Sequence, residues 1–313
     1  MRYVEMDGFR TSVIGLGAWQ FGSREWGYGE TYATETAPAL VRRALELGIT
    51  MLDTAEMYGP GRSERIIAGA LAAIPLPDRD GLVVATKFMP FIPAEPVVAR
   101  QAAGSRRRLG VDSLDLYYAH WPNPFVSARR TMQALRPLVD EGVVRRVGVS
   151  NYGLGRWQEA ERALRAPVIA NQVRFSLVST GPARDLVPYA AAMDRIVVAY
   201  SPLGQGLLTD GLAESAPRPR GVRRTSSLFR PGTRRRLIPL AAVLHEIAAV
   251  HGATPAQVAL AWVIRHPNTI AIPGARTIEQ LEENAAAADL ALTDDEFARL
   301  SDAAAAFAEG SRA

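Results

Sequence analysis

Short apolar runs rich in β-formers alternate with amphipathic helical stretches along almost the whole chain, and this alternation most narrows the folds open to it. The strand-like runs are Ile14–Gly17, Thr50–Asp53, Leu82–Phe88, Leu114–His120, Arg146–Ser150, Val168–Gln172, Ile196–Ser201 and Thr269–Pro273. Between them lie helical candidates at 36–47, 62–72, 95–108, 127–141, 153–165, 182–194, 237–250 with 255–265, and 277–287. Eight strand–helix units predict a (β/α)8 barrel, a fold of about 250 residues. A chain of 313 residues then reads as a single domain over 1–313. The competing architecture is an open doubly wound sheet, whose phosphate fingerprint fails here. Gly15-Leu16-Gly17-Ala18-Trp19-Gln20 begins as G-x-G but carries Gln at the third glycine.

Several boundaries carry their own signals. Tyr3–Met6 and Phe9–Val13, joined by Asp7-Gly8, predict an N-terminal hairpin. Thr254-Pro255-Ala256-Gln257 and Thr277-Ile278-Glu279-Gln280 are capping-box patterns, and Thr293-Asp294-Asp295-Glu296 starts an additional C-terminal helix. One segment breaks the pattern. Glu214–Leu237, after the seventh barrel strand, holds eight arginines (218, 220, 223, 224, 230, 234, 235, 236) and no acid after Glu214. It predicts a solvated surface loop, or else a flap over an anionic ligand at the barrel end where phosphates commonly bind.

Composition removes several classes of function. A 48% hydrophobic chain is globular and not disordered. With no cysteine there is no disulfide framework, thiolate metal site or catalytic thiol. The net charge of +4 is spread among acids without an aromatic platform, so no nucleic-acid partner is expected. No apolar run suits a secretory signal or a membrane span, which leaves a cytoplasmic protein as the expectation.

In a parallel barrel the C-terminal strand ends share one mouth, and unusual polar residues there read as catalytic. Here those ends carry Asp53, Lys87, His120, Ser150-Asn151, Asn171-Gln172 and Tyr200-Ser201. Asp53, Lys87 and His120 follow one another by 34 and 33 residues, about one βα unit each, and Tyr58 lies on the loop above Asp53. Lys87 stands out against its background: it is the one lysine among 36 basic residues. A lysine ammonium about 4 Å from a tyrosine favours the phenolate by up to ~4 kcal/mol at an effective dielectric of ~20. The expectation is a tyrosine pKa below its ordinary value, with Asp53 holding the ammonium and a neutral His120 orienting a substrate oxygen. The set contains no activated nucleophile and suits proton delivery to a carbonyl oxygen while something else supplies hydride. The rival use, a Schiff-base lysine, wants a desolvated amine or neighbouring cations, whereas an aspartate partner raises the lysine pKa. Arginine would replace lysine poorly, since its planar fork collides with both neighbours.

These residues bring a family into view. Leu47 to Gly59, with Asp53-Thr54-Ala55-Glu56-Met57-Tyr58-Gly59 at its end, continues into Gly61-Arg62-Ser63-Glu64; Ala85-Thr86-Lys87-Phe88, Leu114 to Pro122 and Val147-Gly148-Val149-Ser150-Asn151 follow in order. Over nearly its full length the chain resembles the aldo-keto reductases, in the branch with a Gly-Ala-Arg cofactor motif. The resemblance implies a (β/α)8 fold and metal-free, NAD(P)H-dependent, reversible reduction of aldehydes or ketones, an alcohol dehydrogenase or carbonyl reductase. It implies Tyr58 as the acid/base, tuned by Asp53 and Lys87, with His120 positioning the carbonyl. Ser150, Asn151 and Gln172 would grip the nicotinamide carboxamide, with Tyr200 stacked on its ring and Ser201, Pro202, Leu203, Gly204, Gln205 and Gly206 along the pyrophosphate. Gly17, Ala18 and Trp19 would touch the cofactor from the first strand. Gly274, Arg276, Gln280, Glu283 and Asn284 would hold the adenine end, where Arg276 facing a 2′-phosphate implies NADP(H) over NAD(H). Many relatives carry lysine in place of Gly274. The alternative within the family is a regulatory barrel resembling potassium-channel accessory subunits, which sense nicotinamide redox state.

The remaining aromatics divide by position. Trp19, Trp26, Phe88, Trp121 and Phe125, with Tyr58 and His120, sit at or past strand ends and predict an apolar substrate pocket. Trp157 and Trp262 fall inside helices and read as packing. His245, His251 and His266 lack ligand spacing and read as surface or capping residues.

Overall fold

A computed structural model of the protein describes residues 1–6, 8–22, 26, 29–75, 79, 81–209, 226–229 and 231–309. The chain opens on β1 (Tyr3–Met6) and β2 (Phe9–Ser12), an antiparallel pair in which Met6 faces Phe9. Asp7, the first residue of the expected hairpin turn, lies outside the described residues. Eight parallel strands then run in sequence order around the molecule: β3 (Leu16–Gly17), β4 (Met51–Asp53), β5 (Val83–Phe88), β6 (Leu116–Ala119), β7 (Val147–Ser150), β8 (Val168–Arg174), β9 (Ile196–Tyr200) and β10 (Thr269–Ile272). The ring closes where Ile14 bridges Ala271 in parallel, with Gly15 N donating to Ala271 O at 2.8 Å.

Helices cover the outside: α1 (Trp19–Gly22), α2 (Gly29–Thr31), α3 (Ala37–Glu46), α4 (Arg62–Ala72), α5 (Glu95–Leu109), α6 (Ala128–Asp140), α7 (Leu154–Leu164) and α8 (Leu186–Met193), then α9 (Pro231–His251), α10 (Pro255–Arg265), α11 (Ile278–Ala286) and α12 (Asp294–Glu309). At Thr254 the capping box is complete, each partner's side chain bonding the other's backbone. At Thr277 only half forms. Its hydroxyl accepts from Gln280 N, while Gln280 Oε1 takes Arg276 N at 2.9 Å. Thr293 and Glu296 exchange the same pair of bonds at the start of α12. The expected helix at 182–194 starts later, because Gly181–Ala183 forms a 3-10 turn and Asp185 caps α8. Of the arginine-rich segment, 214–225 and 230 lie outside the described residues, and 231–237 is helix where a loop was expected. Pro231 opens α9, a position at which its missing N–H costs nothing.

Strand side chains alternate, so each barrel strand sends one set inward and one set toward the helices. The inner core joins Met51, Ala85, Leu116, Tyr118, Ala170, Val198 and Ile270 to Met6 and Phe9 of the hairpin, which closes that end of the barrel. Gly148 belongs to the inner layer, and a Cβ there would stand 2.4 Å from the Tyr118 ring. Its missing side chain is the space Tyr118 fills. The outer core gathers Leu52, Val84, Phe88, Tyr117, Val149 and the buried helix faces, including Trp157 and Trp262. His266 is packed among Phe175, Trp262 and Phe297 at 5.0, 4.6 and 5.0 Å between ring centroids, a more interior place than a surface residue takes, and it ends α10 as its cap. His251 pairs with Glu296 at 2.9 Å. No single helix among the described residues is long and apolar enough to cross a membrane.

Candidate active site

Inward parity at the strand ends brings Asp53, Lys87, His120, Ser150, Gln172 and Tyr200 to one mouth. Lys87 is fully buried at 0% exposure. Its Nζ donates to Asp53 Oδ1 at 2.6 Å, Thr54 O at 2.8 Å and Tyr58 Oη at 3.2 Å. Three acceptors around one nitrogen fit an ammonium, which only donates. The Tyr58 oxygen therefore accepts from Lys87, and its own O–H is left to point elsewhere. The second Asp53 oxygen accepts from Gln172 Nε2 at 2.7 Å. Burial opposes the Lys87 charge, yet Asp53 and Tyr58 outweigh it and hold Lys87 above the ordinary lysine range.

Tyr58 departs from expectation. Burial pushes its hydroxyl above the ordinary tyrosine value; Lys87 pulls it back only in part, and Asp53 adds to the rise. The expectation of a lowered pKa treated the ammonium as an isolated charge. In the structure the carboxylate at 2.6 Å cancels much of its field. The result is a phenol that stays protonated at neutral pH.

His120 is the opposite case. Burial and the nearby Lys87 ammonium push its imidazole down to about 3, and its Nδ1 is buried without a hydrogen-bond partner among the described residues. The ring is therefore neutral over the working pH range. NMR titration of labelled histidine, with the His120 signal assigned by substitution because burial lowers His266 as well, should show the His120 imidazole unchanged from pH 9 down to about 5, although the reference pKa is about 6.5; a His120 signal titrating near 6.5 would contradict it. The sign for stability follows. An unfolded His120 gains its proton near 6.5 and the folded one only near about 3, so the contribution is whole above 6.5 and drains away as pH falls through that window.

The Tyr58 loop is shaped by close backbone contact. Gly59 has φ 58°, and a Cβ there would lie 2.1 Å from Gly22 O. Around the hydroxyl stand aromatic rings: Trp19 stacks on Tyr58 at 6.2 Å, Trp26 meets Trp19 edge-on at 5.1 Å, His120 meets Tyr58 edge-on at 5.8 Å, and Trp121 stacks on His120 at 6.4 Å. Trp121 is 48% exposed and Phe125 95%. Phe125 stands farther out, over a groove of about 490 Å³ shared with Phe91 and Ile92. Phe88 does not belong to this wall. It is 0% exposed in the outer core, 5.0 Å from the Tyr117 ring. One residue after an inward Lys87, it must face the helices.

The polar residues expected at the cofactor form a linked set. Tyr200 Oη donates to Asn151 Oδ1 at 2.9 Å, Asn151 Nδ2 to Ser150 Oγ at 3.0 Å, and Ser150 Oγ to Gln172 O at 2.9 Å. Arg174, one inward position beyond Gln172, places its guanidinium 5.9 Å from the Tyr200 ring. Past Tyr200, Ser201, Gly204, Gln205 and Gly206 have φ of 50°, 57°, 60° and 90°, a curled backbone of the kind that turns amides toward an anion. Pro202 and Leu203 lie within that turn, and Gln205 Oε1 is buried without a partner among the described residues. Gly17 N donates to Pro273 O at 3.0 Å and Ala18 N to Asp53 O at 2.8 Å, tying the end of the first strand to the ends of both neighbouring strands. At the far end Arg276 is exposed beside the start of α11. Gln20 Nε2 and Tyr32 Oη both donate to Ala275 O, at 3.2 and 2.8 Å, and Asn284 Nδ2 reaches Gly274 O at 3.5 Å. Glu283 is turned from this turn to the Thr254 hydroxyl of the α10 cap. Sequence reasoning missed Gln20, Tyr32, Glu56 and Arg174; for Arg174 the inward parity it shares with Gln172 was the available signal.

Comparison with known proteins agrees with this fold. Residues 13–305 match the model of the aldo/keto reductase family. The chain belongs to that family. It is 49% identical over 308 residues to an uncharacterized oxidoreductase of Mycobacterium tuberculosis (strain ATCC 25618 / H37Rv), covering 98% of this chain and 94% of the relative. It is 34% identical over 290 residues to methylglyoxal reductase YeaE of Escherichia coli (strain K12), covering 92% and 89%. Among solved structures, the aldo-keto reductase from Klebsiella pneumoniae in complex with NADPH superposes with a TM-score of 0.75 at 32% identity, over 96% of this chain and 94% of that one.

Proposed function

We propose that this protein reduces an aldehyde or ketone to the alcohol, reversibly, with NADP(H) as cofactor and Tyr58 as the proton donor. The observation that carries the reading is the Lys87 ammonium, held by Asp53 and Thr54 O with the Tyr58 oxygen at 3.2 Å. Bound NADPH supplies hydride to the carbonyl carbon. The chain supplies the proton: Tyr58 gives its hydrogen to the carbonyl oxygen, and Lys87 steadies the phenolate as it forms. His120, neutral, orients that oxygen without competing for the proton.

The mouth also suits the cofactor. Ser150, Asn151 and Gln172 offer amide-sized polar groups, Tyr200 a flat ring, and residues 201–206 a curled backbone with the unpartnered Gln205 Oε1. Arg276 at the α11 N-terminus suits a 2′-phosphate. The ring of Trp19, Trp26 and Trp121 favours carbonyl compounds bearing an apolar or aromatic group. The test is steady-state oxidation of NADPH with 4-nitrobenzaldehyde. Carbonyl-dependent turnover supports the reading, whereas tight NADPH binding without turnover overturns it in favour of a redox-sensing barrel.

A further inference from the structure

Glu56 lies between Asp53 and Tyr58 on the loop from β4 to α4, and it touches neither. Its backbone N–H donates to Lys87 O at 3.2 Å. Its carboxylate Oε1 accepts from Met89 N at 2.8 Å and from Gln101 Nε2 at 2.9 Å. Gln101 Nε2 also reaches Met89 O at 3.1 Å, so α5 braces the same point. Glu56 therefore grips the exit of β5 on both sides of Phe88. His120 N donates to Phe88 O at 3.0 Å, so the backbone that Glu56 holds also locates His120. Nothing in the charge needs of Asp53, Tyr58 and Lys87 calls for this carboxylate. Burial raises its own pKa, and the Met89 amide offsets that only in part. A half-buried carboxylate with backbone partners is costly unless the geometry it imposes matters.

We propose that Glu56 is a positioning residue, which locks the Tyr58 loop onto the backbone of residues 87–89 and so keeps the hydroxyl, the ammonium and the imidazole in register. The inference rests on the catalytic reading above. Tyr58 sits two residues beyond the tether, where a slackened loop moves its hydroxyl away from both Lys87 and the substrate oxygen. A displacement near 1 Å can cost about 100-fold in rate.

The experiment compares Glu56→Ala, Glu56→Gln and Gln101→Leu with wild type by kcat, KM, NADPH Kd from fluorescence quenching, and Tm. Glu56→Ala is expected to lower kcat by about 10- to 100-fold with KM and Kd little changed. Glu56→Gln keeps an oxygen for Met89 N and is expected to recover most of the rate. Gln101→Leu should show a smaller loss of kcat with the same split. Wild-type kcat in Glu56→Ala, or Glu56→Gln as impaired as Glu56→Ala, overturns the proposal. Should Glu56→Ala fail to fold, Gln101→Leu decides it: reduced kcat at unchanged KM and Kd supports the proposal, and wild-type kcat overturns it. Tyr58→Phe separates the two readings. If Tyr58→Phe keeps its activity the catalytic reading fails, whereas if it is inactive while Glu56→Ala is normal only this inference fails.

Discussion

Tyr58→Phe is expected to lower kcat for carbonyl reduction by about 10²- to 10⁴-fold, the range a positioned general acid supplies, while NADPH Kd stays near wild type. The substitution removes one oxygen and leaves the ring against Trp19 at 6.2 Å, so the pocket keeps its shape. Lys87 retains Asp53 and Thr54 O and loses one acceptor of three. The stability cost of that is about 1.5–3 kcal/mol for a bond from a charged group, below the roughly 5–15 kcal/mol by which a folded domain is typically stable, so unfolding does not mimic the rate effect. The pH dependence has a definite sign. A proton donor must be protonated, so the wild-type rate holds below the Tyr58 pKa and falls as pH rises through it. Burial lifts that pKa above the ordinary tyrosine value, so the limb lies on the alkaline side, and it should vanish in the phenylalanine variant. Stopped-flow single-turnover rates across pH check both points, and a Tyr58→Phe enzyme of wild-type rate would remove Tyr58 from the mechanism.

Lys87→Arg conserves charge and matches the basic residue used everywhere else in the chain, yet it should lose at least about 100-fold in kcat, because misplacing the donor costs that order. The ammonium occupies a closed space bounded by Asp53 at 2.6 Å, Thr54 O at 2.8 Å and Tyr58 at 3.2 Å. A guanidinium is larger, planar and unable to send three hydrogens out from one nitrogen. Fitting it means displacing the Tyr58 loop, already pressed against Gly22 at Gly59, or shifting Asp53 off Gln172. Overpacking of this kind destabilises by about 1–3 kcal/mol, readable as a drop in urea midpoint with unchanged slope. Full activity in Lys87→Arg would mean that charge alone matters at this position.

Much of this was legible in the residues, for identifiable reasons. The strand runs were visible because barrel strands are buried on both faces and read as unbroken apolar stretches ending in polar residues. Thr254 and Thr293 announced their helices because caps are local. What escaped depends on three dimensions. Phe88 was taken for a pocket residue on its place at a strand end, although parity with Lys87 sends it outward. The tyrosine shift had the wrong sign, because burial of the hydroxyl becomes visible only once the strands are side by side, and the Asp53 expected to hold the ammonium was not weighed for its own effect on Tyr58. Gln20 and Tyr32 meet Ala275 across more than 240 residues of chain, and no local pattern marks such a pairing. Glu56 sat inside a quoted motif and carried no assigned role, since its partners Met89 and Gln101 arrive from the next strand and helix.

The burial of Lys87 has a consequence for handling the protein. Every other basic side chain capable of charge is arginine or histidine, so apart from the α-amine of Met1, paired with Asp289 at 3.2 Å, the folded molecule offers acylating reagents no primary amine. Apart from that α-amine, amine-directed dyes, cross-linkers and resins have nothing to grip on its surface. Acylation at Lys87 can proceed only when the barrel opens, which makes that single modification, counted by mass spectrometry, an intrinsic clock for unfolding.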